Sequence, residues 1–190
     1  MDKLLNRYEI EIKLPVKNPD DIKEQLRSRG FQEKAMIREC DMYYNSLYHD
    51  VKKLGEALRI RKSRDLSTGK IQAQINFKGK KLDRISMSRQ EYETLIEDPD
   101  AMEKILIALG FEPAAGVQKT RCYMEYGNMT ACLDQVDNLG NFLELEMIAS
   151  RKSMREQYLQ TMETFINELG FSMEDTVNTS YLSMLIGEND

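Results

Sequence analysis

The chain has 190 residues, 41% of them hydrophobic, and a net charge of −5. That is enough apolar content for one sizeable core and argues against wholesale disorder, while the acidic balance disfavours nucleic-acid binding through a generally basic surface. No apolar run reaches the roughly 18 residues of a membrane span, residues 1–7 lack the apolar core of a signal peptide, and Cys40, Cys122 and Cys132 are odd in number without metal-type spacing, as expected of small buried hydrophobes in a reduced, cytoplasmic protein.

The first strand is expected over about 7–16. In it Glu9, Glu11 and Lys13 share one face and Tyr8, Ile10, Ile12 and Leu14 the other, because successive side chains of a strand point to opposite sides. Asn18-Pro19-Asp20 then places a capping residue before a proline at the first helical position, and Gly30-Phe31 stops that helix at about 29. Strands follow at about 38–47, 55–64, 70–79 and 84–93. Asp98-Pro99-Asp100 opens a second helix, over 99–109, which Gly110-Phe111 ends. Three more strands are expected at 117–126, 129–137 and 141–149, and two helices at 151–169 and 174–186. In the first of these helices Gln157, Tyr158, Met162, Phe165, Ile166 and Leu169 form a core-facing stripe.

The chain repeats itself. Residues 18–20 and 98–100 carry the same start signal, residues 30–31 and 110–111 the same stop, each at an offset of 80. The same offset lays Glu9, Glu11 and Lys13 over Arg89, Glu91 and Glu93, and Tyr43 over Tyr123. Two similar halves with short connections and no Pro/Gly/Ser-rich linker suggest one closed antiparallel barrel, an α+β fold with helices packed outside it. One domain is expected over 1–190, the barrel at about 7–149 and the C-terminal helices at about 151–186.

Almost every strand has one apolar and one charged face. The charged positions are Glu9, Glu11, Glu91, Glu93, Asp134, Glu144 and Glu146, and Lys13, Arg59, Arg61, Lys78, Arg89, Lys119 and Arg121. Small barrels usually fill with apolar side chains, but that closure would leave the amphipathic helices no apolar sheet surface to cover. Turning the charges inward gives them one. Acids and bases in equal number would permit a self-neutralising lining. They also suit a metal-bound polyphosphate, with arginines gripping phosphate and carboxylates holding a hard ion such as Mg2+ or Mn2+. No Walker-type glycine loop is present, so side chains would do the phosphate binding. His49, in Tyr48-His49-Asp50, reads as a solvated loop residue, and Tyr43, Tyr44 and the methionines as core or wall.

In order along the chain, Glu9-Ile10-Glu11-Ile12-Lys13, Ala57-Leu58-Arg59-Ile60-Arg61, Phe77-Lys78-Gly79, Arg89-Gln90-Glu91-Tyr92-Glu93, Lys119-Thr120-Arg121, Leu133-Asp134 and Leu139-Gly140-Asn141-Phe142-Leu143-Glu144-Leu145-Glu146 resemble the motifs of the CYTH superfamily, the triphosphate tunnel metalloenzymes. The Leu-Gly-x-Phe-x-Glu-x-Glu ending and Ser180-Tyr181-Leu182 are most similar to the class IV adenylyl cyclase (CyaB-like) branch. The resemblance implies an eight-stranded tunnel in which Lys13, Arg59, Arg61, Lys78, Arg89, Lys119 and Arg121 hold a triphosphate. Glu9, Glu11, Glu144 and Glu146 would bind Mg2+ or Mn2+, with Glu91, Glu93 and Asp134 as further candidates. It places Glu9, Glu11, Lys13, Asp134, Glu144 and Glu146 in the catalytic set. The implied reaction is conversion of ATP to cyclic AMP and pyrophosphate. The alternatives are hydrolysis of tripolyphosphate, thiamine triphosphate or a nucleoside triphosphate, and a polyphosphate- or nucleotide-binding module without turnover. The implied partner is a small-molecule triphosphate, with no nucleic acid and no membrane; a homodimer is compatible with the family.

Overall fold

The structure is a computed structural model describing residues 8–81 and 89–187. Its eight strands are β1 (Tyr8–Pro15), β2 (Gln32–Ser46), β3 (Ala57–Asp65), β4 (Ile71–Lys81), β5 (Arg89–Ile96), β6 (Phe111–Tyr126), β7 (Met129–Val136) and β8 (Gly140–Ala149). They close into a barrel in the order β1-β5-β4-β3-β2-β6-β7-β8, every neighbouring pair antiparallel. Helices α1 (Pro19–Ser28), α2 (Pro99–Ala108), α3 (Arg155–Glu168) and α4 (Tyr181–Ile186) lie outside the wall. Among the described residues no helix is long and apolar enough to cross a membrane.

The main apolar core lies between the barrel wall and the helices. Ile10, Ile12 and Leu14 of β1 pack with Leu143 and Leu145 of β8 against Ile22 and Leu26 of α1 and Met162 and Ile166 of α3. These side chains lose nearly all contact with water, each contributing about 1.5–3 kcal/mol by burial. Strand alternation then leaves the charged residues facing inward.

The pairing register shows how the two halves are related. Glu9 pairs with Arg89 and Glu39 with Lys119, each pair being residues 80 apart, so an approximate twofold axis passes through both. It carries Asp41 opposite Val117 onto Ile37 opposite Arg121. It also carries the row Tyr43, Arg59, Asn76 and Glu93 onto Tyr123, Cys132, Glu144 and Lys13. The 80-residue repeat is therefore a geometric repeat of strand, helix and three strands.

Differences from the expected boundaries have local causes. β2 and β6 start at residues 32 and 111, well before the expected 38 and 117, because they pair with each other from Gln32–Glu125 to Ser46–Phe111; cross-strand partners, invisible to local composition, extend both. β5 runs on to Ile96 because Leu95 and Ile96 pair with Gln74 and Ala73; the expected start at 84–88 lies outside the described residues. The helix expected at 174–186 is not continuous. Ser172 and Asp175 form a capping box around a 3-10 turn, Met173–Asp175. The backbone is then extended at Thr176, Val177 N–H donates to Lys13 O at 2.8 Å, and only Tyr181–Ile186 is α-helical. A 3-10 turn, Lys152–Met154, likewise precedes α3. The glycine stops are as expected: Gly30 and Gly170 take φ of 94° and 88°, and the following Phe31 and Phe171 N–H groups return to Leu26 O and Ile166 O, which only a left-handed residue permits cheaply.

The two helix caps differ. The Asp98 carboxylate accepts from Asp100 N and Ala101 N, whereas Asn18, expected to cap α1, makes no side-chain cap bond. Asp98→Ala is therefore expected to lower the unfolding free energy by about 1 kcal/mol, against a few tenths for Asn18→Ala. Urea unfolding of the two variants checks the order.

Candidate functional site

The barrel encloses a lumen of about 1570 Å³ lined by the charged strand faces, with the 51–57 loop and the 178–183 segment contributing to the lining. All the charged residues expected there line it except Asp134, which is buried behind the cations it holds.

Arg121 of β6 binds Asp134 of β7 through two bonds, Nε–Oδ1 and Nη2–Oδ2, both 2.6 Å. It also contacts Glu144 and, at 3.3 Å, Glu146. Lys119 donates to the same Asp134 at 2.9 Å and lies 3.6 Å from Glu39. On the other flank of β2 Arg61 forms a second fork on Asp41, at 2.6 and 2.8 Å, and reaches the same Glu39 at 3.0 Å. Arg59 donates to Asp41 and to the Tyr43 hydroxyl, both at 3.2 Å. Lys13 sits 3.3 Å from Glu144 and 3.7 Å from Glu11. Arg89 donates to Gly55 O at 3.3 Å. Burial opposes ionisation of Glu144 and Asp41, yet Arg121 and Lys13 hold Glu144, and Arg59 and Arg61 hold Asp41, well below the ordinary carboxylate range.

Glu9, Glu11 and Glu146 behave in the opposite way. One oxygen from each lies within 4.8 Å of the others. They come together because Glu11 and Glu146 are opposite one another in the β1–β8 ladder and Glu9 is two residues along the same face. Burial pushes all three carboxyls up; Glu91 adds to the shift of Glu9, Glu144 to that of Glu11 and Glu9 to that of Glu146, which reaches about 8. Three cations lie near the cluster, Lys78 at 2.5 Å from Glu9 and 4.0 Å from Glu11, Lys13 at 3.7 Å from Glu11 and Arg121 at 3.3 Å from Glu146, but burial outweighs them. Three converging oxygen donors, desolvated and mutually repelling, are a donor set that fits a hard divalent cation.

The structure thus separates the expected carboxylates. Glu9, Glu11 and Glu146 converge and their carboxyls are pushed up in spite of nearby cations; Glu144 is held down by Arg121 and Lys13, and Asp134 accepts from Arg121 and Lys119; Glu91 faces Lys78; and Glu93 accepts from Asn76 at 3.0 Å. Two buried acids, Glu39 and Asp41, escaped the sequence reading although Glu39-Cys40-Asp41-Met42-Tyr43 alternates as regularly as β1. Tyr123, which donates to Glu39 at 2.9 Å, was seen only as a repeat partner. The cysteines need correction as well. Cys40 is exposed and Cys122 joins the apolar core, but buried Cys132 faces the lumen, its Sγ 3.9 Å from a Glu146 oxygen. His49 is an exposed loop residue whose Nε2 lies 2.8 Å from a Glu56 oxygen, and Glu56 lines the mouth of the cavity. Tyr44 is core, its hydroxyl donating to Glu103.

A closed barrel with an ion-paired lumen and, among the described residues, a three-carboxylate cluster defines a charged-tunnel fold. The chain belongs to the CYTH family, whose domain model matches residues 7–181. It is 32% identical over 176 residues to the candidate adenylate cyclase MJ0240 of Methanocaldococcus jannaschii, covering 93% of this chain and 97% of that protein. The solved structure of PH1819 from Pyrococcus horikoshii superposes with a TM-score of 0.85 at 32% identity, over 94% of this chain and 98% of that one. HpAC1 of Hippeastrum, a candidate adenylyl cyclase with a dominant triphosphatase activity, shares the fold at a TM-score of 0.68 and 18% identity, over 97% of both chains.

Proposed function

We propose that the protein is a metal-dependent enzyme that binds ATP in the tunnel and converts it to cyclic AMP and pyrophosphate. The observation that carries the reading is the juxtaposition, in one closed lumen, of the Glu9/Glu11/Glu146 cluster with the Arg121–Lys119–Lys13 group. Glu9, Glu11 and Glu146 would hold Mg2+ or Mn2+, which when bound offsets phosphate charge and polarises phosphoryl oxygens.

The chain's own part is to bind and orient. Arg121, Lys119, Lys13, Arg59, Arg61 and Lys78 face the triphosphate from several strands, and because their carboxylate partners fix them in place, little reorganisation is needed as charge shifts to the leaving group. The ribose 3′ oxygen forms a bond to the α-phosphorus, the bond from that phosphorus to the bridging oxygen breaks, pyrophosphate departs and the hydroxyl proton is released. Burial of the lumen strengthens every charge interaction during that step.

A second reading, attack of water on the terminal phosphorus with release of orthophosphate, uses the same cations in a different register and is favoured by the activity of HpAC1. Incubation with ATP, tripolyphosphate and thiamine triphosphate, each with Mg2+ or Mn2+, separates them. Cyclic AMP with pyrophosphate is the expected result. Orthophosphate without a cyclic product replaces the cyclase by the hydrolase, and no metal-stimulated product from any of the three sinks both.

A further inference from the structure

The approximate twofold axis passes through the barrel wall at Glu9–Arg89 and again, on the far side, at Glu39–Lys119. It therefore crosses the tunnel and exchanges its two ends. Because it largely relates opposite charges, the ends differ. Followed in one direction, four walls change alike. On β1 Lys13 gives way to Glu9, on β5 Arg89 to Glu93, on β4 Lys78 to Gln74 and on β6 Lys119 to Tyr123. The loop between β2 and β3 adds Lys53 to the cationic end, and the β6–β7 hairpin adds Glu125 and Asn128 to the other. Asp41, Asp134 and Glu144 also stand toward the cationic end, but each is engaged by arginine or lysine. Beyond the Glu9/Glu11/Glu146 cluster, away from Lys13, the wall consists of Tyr123, Thr130, Gln74 and Ile148. The first three are half-buried and Ile148 is 43% exposed. An aromatic ring, a hydroxyl, an amide and an apolar side chain suit a nucleoside better than a phosphate. The lumen of about 1570 Å³ exceeds what a phosphate chain alone fills. A nucleoside at the opposite end would direct the phosphate tail past the cluster toward Glu93 and Glu125, whose charge opposes it.

We propose that the nucleoside of the triphosphate lies at the tunnel end walled by Tyr123, Thr130, Gln74 and Ile148, with its phosphate chain running past the carboxylate cluster toward Lys13 and Lys119. The inference rests on the nucleotide reading above and adds to it the direction of the ligand and the place of its base. The chain contains no tryptophan, so Ile148→Trp and Ala57→Trp, made separately in the full-length chain, each carry a single fluorophore. Ile148 marks the proposed nucleoside end. Ala57, opposite Lys78 on β3, marks the cationic end. The probes are adenosine bismethylenetriphosphate, in which methylene replaces both bridging oxygens and blocks cyclisation and hydrolysis, and the same bismethylene chain without the nucleoside, each with Mg2+. Calorimetric titration of the wild-type protein first establishes that both bind. Stacking of the base on the indole is then expected to quench Ile148→Trp well beyond the change caused by the bare chain, while Ala57→Trp responds alike to the two ligands. Thr130→Trp, on the neighbouring strand β7, reads the same end should Ile148→Trp fail to fold, and is expected to respond as Ile148→Trp does. Base-dependent quenching at Ala57→Trp, or at neither end, overturns the proposal; binding of both ligands to wild type then leaves the nucleotide reading standing. Absence of binding of both ligands to the wild-type protein removes that reading and this inference together.

Discussion

Glu11→Gln is expected to lower metal-dependent turnover by about 10²–10³-fold, the several kcal/mol that a lost charge interaction at a bound ion represents in the barrier. The same change is expected to stabilise the metal-free protein. Glu11 is buried beside Glu9, Glu144 and Glu146, so removing its charge relieves burial and repulsion that Lys13 and Lys78 offset only in part. Activity and stability thus move in opposite directions, a signature that general damage to the fold cannot produce. The pH dependence of the metal-free wild type follows from the same crowding. Glu146 is held up near 8 in the folded chain against an ordinary 4.5. Between these values the folded state keeps a proton that the unfolded state has lost, so this group's contribution to stability falls as pH rises through that window. Added Mg2+ at pH 8 is expected to recover stability, by about 2.7 kcal/mol at a hundredfold excess over its dissociation constant. Initial rates with Mg2+ or Mn2+ and melting curves with and without metal check each part. Wild-type turnover in Glu11→Gln sinks the assignment of the cluster as the metal site.

What could be seen in the sequence follows from what is local. Strand alternation, proline at the first helical position and glycine after the last turn are read from neighbours in the chain, and they gave all eight strands, both early helices and the inward charged faces. The 80-residue offset placed Glu9, Glu11 and Lys13 over Arg89, Glu91 and Glu93. It did not disclose what the register adds, that the halves repeat in shape while largely inverting in charge. The twofold exchanges Glu9 with Arg89, Glu39 with Lys119 and Asp41 with Arg121, and carries Arg61 onto Asp134 and Lys78 onto Glu146. One side of the lumen thereby supplies the opposite charge to its counterpart, which explains how so many buried ions are tolerated. It also explains why Glu9, Glu11 and Glu146 form one cluster and not two: the equivalent positions hold Arg89, Glu91 and Lys78. Which carboxylates are outweighed by cations is a property of pairs from different strands, Glu144 having both Arg121 and Lys13 and Glu146 only Arg121 beside Glu9 and Glu11, so neither composition nor period could separate Glu146 from Glu144. The path of residues 176–180 was hidden for a similar reason, being set by a bond to β1, far away in sequence.

The same pairing makes Arg121 the costliest lumen residue to remove. Among the described residues its guanidinium is the one group that touches Asp134, Glu144 and Glu146 together. Arg121→Met leaves buried Asp134 and Glu144 and half-buried Glu146 with Lys119 and Lys13 as their nearest compensation. Stripping one partner from a buried, hydrogen-bonded ion pair costs about 3–5 kcal/mol, and a loss of that size should appear as a lower urea midpoint with an unchanged slope. Binding of the polyanion should fall with it, since the fork that grips a carboxylate also grips phosphate. Arg121→Lys keeps the charge but not the two-point geometry of the 2.6 Å bonds to Asp134, so it should recover only part of either loss. The decisive comparison is the double variant Arg121→Met with Asp134→Leu. Much of the penalty is the burden of an uncompensated Asp134, so deleting that carboxylate as well should restore stability by more than 1 kcal/mol relative to Arg121→Met alone, while polyanion binding stays lost. Equal stability of Arg121→Met and wild type would show that the lumen charges are solvated rather than paired, and with that the tunnel would lose its fixed cations.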